Sequence, residues 1–275
     1  MATINAPASP RDHLHTRPAL DPSGQPVSAG LVAELAWRAQ ARTETTKCTT
    51  CHARHDGMCD AMPEADLAEL SAIASVIAVP PGKRFVTEGD TAEHFFALID
   101  GTTRLLKTLP DGRQQITSFA GRGDFLGLAS GPDYAYSAEA VDNVQFCRFP
   151  RARLRTLFGR FPGLEKRLMK ITCNELVLAQ EQMLLLGRKH ARERIASFLV
   201  LRATKYPGTA SIAGMPIKVP LPMTRVDIAD YLGLRLETVC RTLSRLKQDK
   251  LIGSAPANGV VILNRTALED CAACM

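Results

Sequence analysis

Three cysteines fall within twelve residues in "CTTCHARHDGMC" (48–59), at the spacing C-x2-C-x7-C. Thiols grouped this way ligate a metal, exchange disulfides, or pack as small apolar residues. The chain has eight cysteines in 275 residues. In a reducing compartment such cysteines are better metal ligands or core residues than disulfide partners. A thiolate site normally takes four donors, so the motif is one ligand short. A second C-x2-C pair, Cys271 and Cys274, stands at the end of the chain with no further ligand nearby and reads as a frayed terminus. Cys173 reads as a small packed residue.

A second stretch carries chemistry of another kind: "MTRVDIADYLGLRLETVCRTLSRLKQDKLIG" (223–253). Val226, Ile228, Ala229 and Leu232 predict a short helix with Thr224 as its N-cap. Gly233 supplies the turn of a helix-turn-helix unit. Leu236, Val239, Leu243 and Leu246 give the next helix an apolar stripe. Its other face carries Glu237, Thr238, Arg241, Arg245 and, at the edge, Cys240. An exposed arginine presents a fork to guanine O6 and N7, and a glutamate accepts from a cytosine amino group. Arg225, Arg235, Arg245 and Lys247 are suited to phosphates, which fix position without reading sequence. The plainer reading of Glu237 and Arg241 is a solvated i,i+4 ion pair, worth about 0.3–0.5 kcal/mol. The helix–Gly–helix pattern and the following "LIGSAPANGVVILN", which reads as a wing, favour DNA. The formal net charge of +6 suits a polyanionic partner.

These groups need a scaffold. Residues 1–44 are rich in Pro, Ser and Ala and read as a disordered extension, partly helical over 28–42. "PEADLAELSAIASVIAV" (63–79) places Leu67, Leu70, Ile73 and Ile77 at helical spacing, with Pro63 in the first turn. From Pro80 to Pro150 short strand-like runs alternate with glycines, and Asp111-Gly112 marks a hairpin. That texture predicts a small antiparallel barrel or jelly roll, with the cysteine loop and roll spanning 45–160. Its His94, Phe95 and Phe96 read as core and rim. Residues 151–205 read as helix, with 161–190 as a dimerisation helix. Within it Met169, Thr172, Leu176, Ala179, Met183 and Leu186 step by three and four, the seam of a coiled coil. A DNA-binding domain then covers 191–265, and 266–275 reads as a flexible tail. The class is α+β: a β-roll, a long helix and a winged helix-turn-helix. The apolar runs are too short to span a bilayer, and the first residues lack a secretory pattern. A cytoplasmic location is expected.

This order resembles the CRP/FNR family of bacterial transcription regulators over roughly residues 45–265. The resemblance rests on "GDFLGL" (123–128), "RERIASFL" (192–199) and "MTRVDIADYLGLRLETVCRTLSRL" (223–246). "ETVCR" resembles the family's recognition signature E-x-x-x-R. That resemblance implies base reading by Glu237 and Arg241 on a TTG…CAA palindrome, a homodimer, and contact with RNA polymerase. At Cys240 many relatives have serine, which leaves the fine preference open. Cyclic AMP is not expected: Leu128 stands where its branch has the ribose-binding glutamate, and Tyr136-Ser137 replaces its Arg-Ser pair. The fumarate and nitrate reduction branch instead uses three N-terminal cysteines and one late in the roll to hold an oxygen-labile [4Fe–4S] cluster. "VQFCRFP" places Cys147 at that fourth position, and C-x2-C-x7-C resembles the spacing of the FnrN-type subgroup. The resemblance thus implies Cys48, Cys51, Cys59 and Cys147 as ligands.

Zinc remains an alternative cofactor, with His52 or His55 able to replace the distant cysteine. So does a metal-free thiol switch, or a family member that senses a small ligand without a cluster. A cupin-type enzyme would gather several histidines inside the barrel. This roll offers only His94, so no enzymatic activity is expected.

Overall fold

The computed structural model describes residues 48–129, 131–206, 216–256 and 259–273. The expected 28–42 helix and Cys274 lie outside them. Three short 3-10 turns, Cys48–Thr50, Arg54–Asp56 and Met58–Ala61, carry the cysteine motif. After Pro63 and a further 3-10 turn, helix α1 runs Leu67–Ile73. It ends there, and Ser75–Val79 is strand β1. Ile77, placed by spacing on a helix, therefore lies in a sheet. The run "SVIAV" is short and rich in β-branched residues, and pairing with a neighbouring strand overrides the helical period.

Strands β2 (Arg84–Val86), β3 (His94–Asp100), β4 (Thr103–Thr108), β5 (Gln114–Ala120), β6 (Phe125–Leu126), β7 (Ser137–Ala140) and β8 (Val144–Pro150) complete the roll. They form two four-stranded sheets of order β1-β8-β3-β6 and β2-β7-β4-β5, with antiparallel pairing in both. Phe85, Phe96 and Phe146 pack ring to ring between them. The Asp111-Gly112 hairpin forms as expected, with Gly112 at φ 86° and Leu109 N donating to Arg113 O at 2.8 Å. Phe95 and Phe96 are buried and His94 is half-buried.

Helices α2 (Arg151–Arg160), α3 (Pro162–Arg188) and α4 (Ala191–Lys205) follow. The break between α3 and α4 contains no Gly or Pro. It is set by a capping box in which the His190 amide donates to the Glu193 carboxylate at 2.7 Å. Strand β9 (Ile217–Val219) pairs with the wing strands β10 (Ile252–Ser254) and β11 (Val260–Ile262). The DNA-binding pair is α5 (Arg225–Leu232) and α6 (Leu236–Gln248). Residues expected as a flexible tail form helix α7 (Arg265–Ala273). It packs on α4 with Leu268 fully buried and Ala272 nearly so. The apolar Leu268 and Ala272, one turn apart, anchor it. Cys271 sits half-buried on this helix, so it is not a frayed end. No helix among the described residues is long and apolar enough to cross a membrane.

Candidate functional site: thiol pocket and DNA-reading helix

The four predicted ligand cysteines come together against the β1-β8-β3-β6 sheet of the roll. Cys147 lies mid-way along β8, opposite Val76 on β1 and Ala97 on β3. It shares an apolar cluster with Cys48, Cys51, Cys59, Met58, Met62 and Phe149. Cys48 and Cys147 are buried; Cys51 and Cys59 are half-buried. Burial raises the thiol pKa of Cys59 to about 12, and the neighbouring Cys48 and Cys51 add to the shift. Burial also raises Cys147 strongly, with Cys59, Cys48 and Cys51 contributing in that order. Cys147 therefore stands within electrostatic reach of all three. His52 and His55 are exposed, and His55 Nδ1 pairs with Asp60 at 3.0 Å. Among the described residues no three Cys, His, Asp or Glu groups converge tightly enough to grip one metal ion. The thiols share a pocket without forming a single-ion shell.

Contacts that the sequence did not announce fix this loop in place. Arg122 Nε donates to Asp56 at 2.5 Å, and the Arg122 guanidinium also donates to His52 O. Arg167 Nε, on α3, donates to Gly57 O at 3.2 Å. Gly57 and Gly123 meet backbone to backbone: a Cβ at Gly57 would stand 2.5 Å from Gly123 O. Gly123 itself has φ 87°. Met58 and Met62, both 1% exposed, then pack in the cluster that includes Leu164, Leu168 and Ile171 of α3. The loop is thus seated on the first half of the long helix as well as on the roll.

The rest of α3 presents the predicted seam. Met169, Leu176 and Met183, seven residues apart, are 62%, 60% and 66% exposed on the protomer. Thr172 and Ala179 between them are exposed too. Leu186 departs from the expectation. It is half-buried against the DNA-binding core, its Cδ2 3.3 Å from where a Gly233 Cβ would stand. Cys173, expected to be packed, is exposed beside the seam. The opposite face of the helix meets the protomer along its length, through Leu164, Ile171, Glu175, Gln182 and Leu185.

The roll also holds a charged network. Glu139 on β7 accepts from Arg84 at 2.7 Å and Arg104 at 2.8 Å. Arg104 reaches across to Asp227 of α5 at 2.6 Å. Burial disfavours the Arg104 charge, but Glu139 and Asp227 outweigh it and raise its pKa. Asp230, also on α5, accepts from the Ile116 amide of β5 at 3.0 Å. The β4–β5 hairpin is therefore docked on the first helix of the DNA-binding pair. Charges on strands gave no sequence signal of this, because alternation alone would place them in solvent. Arg194, within "RERIASFL", donates to Leu186 O at 3.0 Å and Leu232 O at 2.8 Å. It ties the end of α3 to the end of α5.

Where a cyclic nucleotide's phosphate would need a cation, Tyr136 puts its own hydroxyl on the Gly127 amide at 2.8 Å. Ser137 Oγ accepts from the Glu88 amide at 3.0 Å. Both side chains are engaged within the roll, and the Arg151 guanidinium donates to Gly127 O of the same segment at 3.0 Å.

The helix pair forms as its sequence predicts. Thr224 caps α5 through a capping box with Asp227, and Gly233 closes it at φ 60°. Val239, Thr242, Leu243 and Leu246 are buried. Leu236 is more exposed than its place in the stripe suggests, and so is Val226 of α5. Glu237, Cys240, Arg241 and Arg245 are exposed on one face of α6, with Thr238 half-buried beside them. Among the described residues Glu237 and Arg241 form no ion pair with each other or with another side chain. The plainer reading of this pair as a helix salt bridge is not what the structure contains. Thr224 is exposed and Arg225 half-buried at the start of α5, and Lys247 Nζ donates to Ser254 Oγ of the wing at 3.0 Å. One helix thus offers an arginine and a glutamate one turn apart, both free to meet base edges.

A sensor-type roll, a long helix with an unpartnered seam and a winged helix-turn-helix define a bacterial DNA-binding transcription regulator. Residues 76–161 match the cyclic nucleotide-binding domain and residues 193–271 the Crp-like helix-turn-helix domain. The chain is 39% identical to the transcriptional activatory protein AadR of Rhodopseudomonas palustris, over 84% of this chain and 95% of that protein. It is 32% identical to the fumarate and nitrate reduction regulatory protein of Vibrio cholerae, over 70% of this chain and 77% of that protein. Among solved structures it resembles FixK2 from Bradyrhizobium japonicum, at 36% identity and a TM-score of 0.66, covering 72% of this chain and 97% of that one. The chain belongs to the CRP/FNR family of transcription regulators and is not an enzyme.

Proposed function

We propose that this regulator senses oxygen through a [4Fe–4S] cluster held by Cys48, Cys51, Cys59 and Cys147, and grips a TTG…CAA-type palindrome as a homodimer under low oxygen. The observation that carries the reading is the gathering of a mid-strand cysteine and three loop cysteines into one buried, apolar pocket. Relatives include nitrogen-fixation regulators as well as fumarate and nitrate regulators, so family membership alone does not choose the sensor. The donor set supports the choice. The two nearby histidines, which a compact zinc site could use in place of a distant cysteine, face solvent. Four thiolates are the usual ligand set of an iron–sulfur centre. When bound, that centre supplies ligation that oxygen destroys.

The chain's own residues supply the transmission. With Cys147 joined to the loop cysteines, residues 48–62 stay seated on the roll and on the first half of α3. Met58, Met62 and the Arg167–Gly57 contact then hold that half-helix in one setting. The seam of Met169, Thr172, Leu176, Ala179 and Met183 begins just beyond and meets its copy in the second protomer, while Leu186 stays on the DNA-binding core of its own chain. Two α6 helices are thereby set about one DNA turn apart, roughly 34 Å. Exposed loops of the roll contact RNA polymerase in this account. A coupling of about 1.4 kcal/mol changes DNA affinity tenfold, so a modest shift of α3 suffices.

Two expectations follow. Gly57→Ala removes no thiol but drives a methyl group into Gly123 O; the loop lifts, and anaerobically purified protein loses iron to air faster than wild type, as followed by absorbance. Equal rates would mean the loop's seat on the roll is irrelevant to retention. Arg241→Ala relaxes preference at one guanine in each half-site, costing about 1–3 kcal/mol per half-site. Fluorescence anisotropy on a set of single-base operator variants measures it. A uniform loss on every sequence would reassign Arg241 to phosphate.

A further inference from the structure

The seven-residue repeat of α3 places Met169, Leu176 and Met183 at a and Thr172 and Ala179 at d. This lettering sorts the rest of the helix into two sides. The g residues Leu168, Glu175 and Gln182 and the c residues Ile171, Leu178 and Leu185 meet the chain's own roll and DNA-binding domain. The e and b residues lie on the other side. There Cys173, Val177, Gln180 and Leu184 are exposed, Val177 by 55% and Leu184 by 51%. Two large apolar side chains thus stand off the seam, open to solvent.

Beside the g residues, a groove of about 630 Å³ runs between α3, the β4–β5 hairpin, α4 and α7. Its floor includes the buried rings of Phe119, Phe198 and Tyr231. Ala179 and Thr204, both exposed, stand in its wall. Ala179 also belongs to the seam, so groove and seam are continuous. The two α6 helices of a dimer must face one DNA duplex, so its two α3 helices run parallel. In a parallel pair the g side of each helix lies against the e side of the other. The open e and b edge of one protomer therefore comes over the groove of the second.

We propose that this groove is filled by a second copy of the chain, with the partner's Val177 and Leu184 seated against Phe119 and Phe198. The proposal rests on the homodimer stated above and not on the cluster. Three large seam residues and two small ones make a narrow contact against the roughly 800 Å² per partner of a specific interface. The groove widens it on both sides of the two-fold axis, because each protomer gives one edge and receives the other. Phe119 belongs to the roll, Phe198 to α4 and Tyr231 to α5. A seated partner helix thus touches the sensor roll and the DNA-binding domain at once. Pairing of the protomers then favours whichever placement of the DNA-binding domain shapes the groove to fit.

The test puts the photo-crosslinker p-benzoylphenylalanine in place of Val177 or Leu184 in the full-length protein. The protein is irradiated alone and with a TTG…CAA duplex, with and without air, and the links are mapped by mass spectrometry. Covalent dimers joined to β5 or α4 of the partner are expected. Separately, Val177→Ser with Leu184→Ser raises the dimer dissociation constant at least roughly tenfold in sedimentation. Leu109→Ser, 50% exposed on the hairpin but outside the groove, leaves it unchanged. Should the benzophenone prevent pairing, the serine variants decide. A dimer linked only through the partner's α3, or one that the paired serine variant leaves as tight as wild type, overturns the proposal and leaves the seam standing. A chain that stays monomeric under every condition removes the homodimer, and this proposal with it.

Discussion

Replacing Leu176 and Met183 by glutamate converts the protein to a monomer and removes its hold on a palindromic operator. Both side chains are about three-fifths exposed on the protomer and lie seven residues apart on one face of α3. Fully burying such a side chain contributes about 1.5–3 kcal/mol. Two per protomer, each already partly covered, leave roughly 4 kcal/mol in the dimer, near three powers of ten in its association constant. Four buried carboxylates facing one another across the seam raise the cost further. The fold of the protomer is untouched, because neither residue belongs to a core cluster. Light scattering after gel filtration, with circular dichroism as the control, reads the result. A double variant that remains dimeric at micromolar concentration would place the interface elsewhere.

Cys147→Ala is the second large effect. It removes the one proposed ligand that comes from the roll, so the three remaining thiols can hold the loop together but cannot tie it to β8. The variant is expected to purify anaerobically with little or no cluster absorbance and with DNA affinity close to that of the air-exposed wild type. Its stability barely changes, since alanine at a strand position flanked by Val76 and Ala97 leaves only a small gap. Cys271→Ala serves as the control: it lies on α7, on the DNA-binding side of the molecule, and leaves the spectrum as it was. Full retention of iron and sulfide in Cys147→Ala would remove Cys147 from the ligand set.

Much of this was legible in the residues themselves. Thr224, Gly233 and the stripe of Val239, Leu243 and Leu246 specify the helix pair by local rules of capping and periodicity. Asp111-Gly112 specifies the hairpin by turn chemistry. The seam of α3 is visible as a seven-residue repeat, and its exposure on the protomer agrees with a role between subunits. What was not legible depends on partners distant in the chain. Ile77 follows helical spacing but is captured by β8. Leu186 follows the seam but turns to the DNA-binding core. Leu268 and Ala272 look like a short tail until α4 supplies a surface for them. Arg104 reads as an ordinary strand arginine until Glu139 and Asp227, 35 and 123 residues further on, close around it. The thiol pocket falls between the two cases. Its three-cysteine motif is local, whereas Cys147 entered only through the family resemblance, and the contacts that bring it near, the strand register and the approach of Gly57 to Gly123, depend on the fold.

The docking of the β4–β5 hairpin on α5 bears on how the roll speaks to DNA. Asp227 is at once the third residue of α5, half of its capping box, and the partner of Arg104. Any change in the roll that moves β4 therefore pulls on the start of the helix pair as well as on α3. Two routes, one through the long helix and one through Arg104, converge on the same domain.

Iron and acid-labile sulfide, assayed in wild-type protein purified without oxygen and paired with its visible spectrum before and after exposure to air, test the oxygen-sensing account most directly. The account predicts close to four iron atoms and four sulfides per chain, with absorbance near 400 nm that bleaches in air as DNA binding is lost. One zinc per chain, no labile sulfide, and DNA binding indifferent to air would contradict it.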